Sequence, residues 1–373
     1  VVGTRPEAVK LAPAILALRA QPGLTAIVCA TGQHRDLLQE ALAGFGIAPD
    51  IDLDLMQHGQ SPADVVAASL PALMRVIAAA GPAAVLVQGD TATAFAAAQA
   101  AYYSGVPLGH VEAGLRSFAA EPFPEEGHRR AIAQLADMHF APTMSARIAL
   151  LAEGIDPAAV HVTGNSGIDA LRLVEAAAMR HERPALPRLD PARSLVVVTI
   201  HRRENHGAPL RRVAAALRLL VENHGIEVVL PVHPHPAVSE PLHRLLGGLP
   251  AMHLVPPLEH GAFLTLLRGA ALVLTDSGGV QEEAPALGVP ALVLRDVTER
   301  GEGLVSGNAV MVGTDTATII AAVRAVLDDA GQRARMSTPA LPYGDGAAAP
   351  RIVAVLAARF ASVPASAELV HQA

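Results

Sequence analysis

Val85-Leu86-Val87-Gln88-Gly89-Asp90-Thr91 and Leu108-Gly109-His110-Val111-Glu112-Ala113-Gly114 are two short apolar runs, each ending in a carboxylate beside a glycine or an Ala-Gly pair. Their length and branched residues read as buried strands. The Ala-rich stretch between them, Thr91–Ser104, reads as a helix. Strand, helix, strand makes a βαβ unit, whose two strands lie parallel in one sheet. Asp90 and Glu112 then leave the carboxyl ends of neighbouring strands, where ligands of open parallel sheets bind. The two acids are expected to share a site. Asp90 taken alone reads equally well as the N-cap of the Thr91 helix. Glu112, before Ala-Gly, has no capping role, so it is the stronger candidate.

The same alternation extends in both directions. Strands are expected at Ala26–Ala30, His139–Pro142 and His161–Gly164, with helices at Glu7–Ala20, Arg35–Phe45, Ala63–Ala80, Glu125–Ala136 and Thr143–Glu153. A polar, Pro-containing stretch, His181–Arg193, precedes a second series. Its strands are expected at Ser194–Thr199, Glu227–Pro231, Met252–Val255, Ala271–Thr275, Ala291–Leu294 and Ala309–Val312. Its helices are expected at Leu210–Asn223, Glu240–Leu246, Gly261–Gly269, Val280–Leu287 and Ala317–Asp328, with a last one at Ala347–Phe360. The fold class is therefore α/β, with two Rossmann-like doubly wound domains and a ligand cleft expected between them. The expected domains are residues 1–165 and 166–345, with 346–373 a C-terminal helix. Only Val1-Val2 precede the Gly3 turn, fewer than the roughly five residues of a full strand, so a longer native N-terminus is expected.

Composition narrows the function. The chain has 373 residues, 51% of them hydrophobic, enough for two cores. A net charge of −7, 3% aromatics and the lack of a basic stripe argue against nucleic acid as a partner. No uninterrupted apolar run approaches the ~18 residues of a membrane span, and the first residues lack the basic start and apolar stretch of a secretory leader. A lone Cys29 makes neither a disulfide framework nor a thiolate metal site. A cytoplasmic protein without membrane attachment is expected. Lys10 is the only lysine in the chain, every other such cation being arginine. A compact ammonium is not replaced by a planar guanidinium, so its survival beside Gly3-Thr4-Arg5-Pro6-Glu7 points to a role.

Further motifs sit at strand ends. Pro6 suits the first turn of a helix, which places Arg5 at that helix's N-terminus. Pro124-Glu125-Glu126 opens another helix, where first-turn acids commonly complement the dipole. Val198-Thr199-Ile200-His201 ends the first strand of the second series in a histidine. Leu274-Thr275-Asp276-Ser277-Gly278-Gly279 is the sharpest anion signal: glycines let backbone approach a phosphate, and free N–H groups at a helix start bind its oxygens. Glu283, one turn in, is placed to accept hydrogen bonds from ribose. His233-Pro234-His235-Pro236 reads as a Pro-braced loop rather than a metal site, since no third ligand is spaced with it.

As a set, GTRPE at Gly3–Glu7, the GDT strand end at Gly89–Thr91, HVEAGLR at His110–Arg116, PEE at Pro124–Glu126, HRRE at His201–Glu204 and DSGGVQEEAPALGVP at Asp276–Pro290 resemble the non-hydrolysing UDP-N-acetylglucosamine 2-epimerase family over essentially the whole chain. The resemblance implies the GT-B architecture, a last helix returning to the first domain, and a homodimer. It implies interconversion of UDP-GlcNAc and UDP-ManNAc by elimination of UDP to 2-acetamidoglucal and re-addition, with no redox cofactor and no metal. It implies Asp90, Glu112 and Glu125 as acid/base carboxylates, with Lys10 and His201 also catalytic. Arg5, His201, Ser277, Gly278 and Gly279 are implied to hold the diphosphate, Glu283 the ribose and Phe263 the uracil. A second, regulatory UDP-GlcNAc position is implied at Gln33, His34 and His233, although the arginine expected within Gln60–Ser69 is absent. The chain also departs from the family in carrying His128 and His235 where Asn is usual, and in a loop at Ser117–Phe123 that looks about one residue short.

A hydrolysing epimerase, releasing ManNAc and UDP, shares the fold and the first step and differs only in water access. A GT-B glycosyltransferase does not need three carboxylates near C2. A non-catalytic nucleotide-sugar sensor would tolerate loss of Glu112.

Overall fold

A computed structural model of the chain describes residues 1–32, 35–55, 57, 59–178 and 187–361. The chain divides into two compact units, Val1–Leu173 with Tyr343–Ala373, and Val174–Pro342.

In the first unit, strands β1 (Cys29–Ala30), β2 (Ile51–Asp52), β3 (Val85–Gln88), β4 (Leu108–Val111), β5 (Met138–Ala141) and β6 (Val160–Val162) alternate with helices. These are α1 (Arg5–Ala20), α2 (Arg35–Gly44), α3 (Pro62–Ala80), α4 (Ala92–Tyr103), α5 (Glu125–Leu135), α6 (Met144–Ala152) and α7 (Ser166–Ala178). Strands β3, β4, β5 and β6 form one sheet in that order, every pair parallel. A parallel β1–β2 pair stands beside it, with Val2 bridged to Ala30. Two apolar layers cover the sheet. One joins Leu11, Ile15, Leu38 and Leu42 to Val111 and Phe140. The other joins Leu73 and Ile77 of α3 to Val85, Val87, Leu108 and the buried alanines of α4. Alanine on α4 leaves no bulk between helix and sheet, so the backbones approach closely.

Helix α3 contains no uninterrupted apolar run of membrane-spanning length, yet it passes a windowed test for a membrane span. Over an 18-residue window its mean hydropathy is 1.6, enough by length and composition alone, and 28% of that window is buried. Asp64, Ser69, Pro71 and Arg75 break it into short apolar runs, which a count of uninterrupted residues passes over. Its Val65, Ala72, Leu73 and Ile77 face inward.

The second unit carries β7 (Ser194–Thr199), β8 (Ile226–Pro231), β9 (Met252–Val255), β10 (Leu272–Thr275), β11 (Ala291–Val293) and β12 (Ala309–Met311). Its helices are α8 (Ala208–Asn223), α9 (Pro236–Leu246), α10 (His260–Arg268), α11 (Gly278–Leu287), α12 (Gly301–Val305), α13 (Thr316–Asp328) and α14 (Ala330–Met336). The sheet order is β12-β11-β10-β7-β8-β9, all parallel. The chain builds outward from β7 through β8 to β9, then returns to β10 on the other side of β7. The β7/β10 boundary is thus the topological switch point, where open parallel sheets bind ligands.

Helix α15 (Ala348–Phe360) belongs to the first unit. Ile352 and Leu356 pack into the α1 layer. The Asp169 carboxylate of α7 accepts from Ala348 N at 3.1 Å and Ala349 N at 2.9 Å, satisfying free donors at the start of α15. Ile168, Ala170 and Leu171 are buried beside it, which keeps the first half of α7 with the first unit.

Candidate functional site

In the first unit, Gln88 and Val111 are register partners on β3 and β4. Asp90 and Glu112 follow directly, so parallel pairing sets the two acids side by side. Gly89 turns the chain at φ +69°, and a Cβ there would stand 3.9 Å from Glu112 Oε1. The Glu112 backbone is itself left-handed, φ 66°. That region is uncommon for a residue with a Cβ, and such positions cluster at functional sites. Thr91, not Asp90, caps α4, accepting from Ala94 N at 3.0 Å. The capping role for Asp90 is therefore removed, and its carboxylate is left for other work.

Each of these acids meets a buried cation. Lys10, on the inner face of α1, pairs with Glu112 Oε2; both side chains are under a tenth exposed. Asn165 Nδ2 donates to the same oxygen at 3.5 Å. Arg129 of α5 donates to Asp90 through Nη2 and, at 3.0 Å, through Nε. It also binds Glu126 at 3.2 Å. Glu126 is buried and accepts from Ser117 N at 3.0 Å, so it braces Arg129 and the 117–124 loop. Glu125, its neighbour, is half-buried at the helix start. His128 donates from Nδ1 to the Asp90 carbonyl at 2.9 Å and stacks on Phe95 at 4.8 Å between centroids.

The Arg5 turn is built around Glu7. Its Oε2 accepts from Gly3 N at 3.0 Å and from Thr4 N and Oγ1 at 2.7 and 2.8 Å, and its Oε1 accepts from Thr91 Oγ1 at 2.7 Å. Burial pushes the Glu7 carboxyl above the usual carboxylate range, against the pull of these donors. Glu7 thus ties the Gly3 turn to the β3 strand end. Arg5 is half-buried at the first position of α1. Beneath the acids, His110 donates from Nε2 to the Gly89 carbonyl at 2.8 Å, and burial lowers its pKa to about 3.

In the second unit the residues gather at the switch point. Thr199 and Thr275 are partners in register, their hydroxyls 2.6 Å apart. Asp276, fully buried after β10, accepts from His201 N at 3.0 Å, Arg202 N at 2.9 Å and Asn205 Nδ2 at 2.9 Å. His201 Nδ1 lies 3.3 Å from Asp276 Oδ1. The His233 ring stacks on His201 at 6.0 Å. Gln33 and His34, expected with His233, lie outside the described residues.

Ser277-Gly278-Gly279 runs into α11, and Ser277 makes no capping bond through its side chain. A Cβ on Gly278 would meet Arg300 Cζ at 2.4 Å, so any larger residue there has to displace that guanidinium. Arg300 is pinned by Glu282 at 2.7 Å and by Glu299, and Arg295 also binds Glu299 at 3.1 Å. The carboxylates neutralise this guanidinium, so it braces the turn, and the free N–H groups of the helix start are what favours an anion there. One turn on, Glu283 Oε1 accepts from His260 Nε2 at 2.7 Å. Phe263 of α10 is 9% exposed, with Val280 and Leu267 in the same apolar cluster.

The sequence reading missed Arg129, Asp276, His260 and Arg300. Asp276 carried a visible signal, an acid between a strand and a Gly-Gly turn. Arg129, His260 and Arg300 each also meet an acid 39, 23 or 18 residues away, and those pairings carried none.

A sequence profile of the UDP-N-acetylglucosamine 2-epimerase family matches residues 16–357. A probable UDP-N-acetylglucosamine 2-epimerase of Ralstonia nicotianae is 44% identical over 369 residues, covering 97% of this chain and 98% of that one. Among solved structures, the UDP-GlcNAc 2-epimerase from Neisseria meningitidis bound to UDP-GlcNAc superposes with a TM-score of 0.92 at 39% identity, covering 95% of this chain and 97% of that one. The S. aureus MnaA–UDP co-structure gives 0.88 at 40% identity, over 96% of this chain and 95% of that one. These neighbours share the α/β fold with parallel sheets that the sequence pattern predicts, of the GT-B type that the resemblance implies.

Proposed function

From the premise that the chain belongs to the UDP-N-acetylglucosamine 2-epimerase family, we propose that it interconverts UDP-GlcNAc and UDP-ManNAc without net hydrolysis. The observation that carries the proposal is the pairing of both strand-end acids with buried cations, Glu112 with Lys10 and Asp90 with Arg129. An adjacent cation favours the charged carboxylate, the form that accepts a proton.

The C2 proton of the sugar is not acidic, so direct inversion at C2 is unattractive. Removal of that proton by a carboxylate, with cleavage of the C1–O bond, places one electron pair in a C1=C2 bond. The other pair leaves on the β-phosphate oxygen of UDP. The products are 2-acetamidoglucal and UDP. Return of UDP to C1, with a proton delivered to the opposite face of C2, gives the epimer. Nothing is oxidised or reduced overall. Asp90, Glu112 and Glu125 are assigned the proton transfers, with Lys10 holding Glu112.

Arg5, His201 and the Ser277-Gly278-Gly279 helix start are assigned the diphosphate, where charge grows as UDP departs. Each preorganised donor aimed at such a charge contributes about 10²–10³-fold. Glu283 is assigned the ribose and Phe263 the uracil. His233 is assigned to a second, regulatory UDP-GlcNAc position.

The deciding experiment is incubation with UDP-GlcNAc in D₂O, followed by proton NMR. UDP-ManNAc carrying deuterium at C2 is the expected product. Free ManNAc with UDP would move the chain to the hydrolysing class, and absence of both products with bound UDP-GlcNAc would overturn the proposal.

A further inference from the structure

His260 opens α10, and Glu283 lies in the second turn of α11. Their side chains are 14% and 11% exposed, and Nε2 to Oε1 is 2.7 Å. An ionised carboxylate only accepts, so the ring nitrogen donates. The other ring nitrogen, Nδ1, is buried without a hydrogen-bond partner in the structure. A buried imidazole that leaves one nitrogen unsatisfied carries a desolvation cost, offset here by one short bond to a charged group. Nothing in the helix ladder needs that bond: Glu259, not His260, occupies the N-cap position of α10. What the bond does is fix the rotamer of Glu283. With Oε1 engaged, Oε2 is the oxygen left to accept from a ligand. Phe263 projects from the same helix one turn after His260, and Gly278-Gly279 open the helix that bears Glu283.

We propose that His260 is a positioning residue that presents Glu283 to the ribose hydroxyls, and so sets the preference of this chain for ribonucleotides over deoxynucleotides. The inference rests on the reading above that Glu283 takes the ribose. A free glutamate has three rotatable bonds to lose on binding; one already clamped loses fewer, so its hydrogen bond to a hydroxyl is worth more. Hydroxyl-to-carboxylate bonds of this kind amount to roughly 10- to 100-fold in affinity.

The test is calorimetric binding of UDP and of 2′,3′-dideoxy-UDP to the full chain and to three variants: His260→Phe, His260→Gln and Glu283→Gln. The wild type is expected to favour UDP at least tenfold. His260→Phe, similar in shape but without a donor, should cut that ratio below about threefold. His260→Gln, which keeps a donor, should recover most of it. A role confined to packing would leave the ratio in place in the Phe variant. Retention of the ratio by His260→Phe, with its loss in Glu283→Gln, overturns the role of His260 alone. Retention in Glu283→Gln, or no preference in the wild type, overturns the ribose reading together with it.

Discussion

Glu112 combines a left-handed backbone, a buried ammonium partner and a strand-end position. Its exchange is the sharpest residue-scale prediction. Glu112→Gln keeps the volume and a group that accepts from Lys10, but removes the basic oxygen. Turnover should fall about 10³-fold or more, within the range general acid–base groups supply, while UDP affinity measured by calorimetry changes by less than about threefold. Near-normal turnover would exclude Glu112 from the proton transfers. At this scale the acids were legible in the sequence, since an apolar strand that ends in a carboxylate is a local pattern. Their cations were not. Arg129 is 39 residues from Asp90, and Lys10 is 102 from Glu112. A linear reading shows that a cation exists, not which acid the fold brings to it. Lys10 stood out only because no other lysine competes with it.

At the scale of elements, the start of α11 depends on a missing side chain. Gly278→Ala drives a methyl group into the Arg300 guanidinium, which Glu282 and Glu299 hold in place. Overpacking of this kind costs about 1–3 kcal/mol. The expected outcome is at least a tenfold loss of UDP affinity with a lowered melting temperature, and unchanged affinity would remove the diphosphate from this helix start. Gly279, whose Cβ position meets nothing nearer than 4.0 Å, should tolerate Ala far better in stability. Most elements here were legible, because apolar runs of four to six residues between Ala/Leu-rich stretches leave few alternatives. The expected strand Ala26–Ala30 shortens to Cys29–Ala30, and the β2 strand that pairs with it is two residues long. So short a ladder leaves almost no pattern. The helices α12 and α14 were missed for the same reason, being five and seven residues long.

For the molecule as a whole, two buried histidines set an acid limit. His110 and His139 are register partners in β4 and β5. Burial lowers their pKa from 6.5 to about 3 and about 4. Below pH 6.5 the unfolded chain takes up these protons and the folded chain does not. Their contribution is therefore complete above pH 6.5 and is lost as pH falls toward 4. Within that window each histidine lowers unfolding free energy by up to about 1.4 kcal/mol per pH unit. Urea unfolding of the wild type between pH 7 and 5 should show this slope, and His139→Phe should show a shallower one; an identical slope would refute the assignment. No sequence feature announced it, because burial on both faces of a sheet is a property of the assembled layers. Lys10 gives the molecule one further property. Its only side-chain amine is enclosed against Glu112, so amine chemistry and site chemistry coincide. Reductive methylation with ¹³C-formaldehyde would install, apart from the terminal amine, a single spectroscopic reporter. Its resonance would report the surroundings of Glu112 and the arrival of ligand, beside the one signal of the terminal amine.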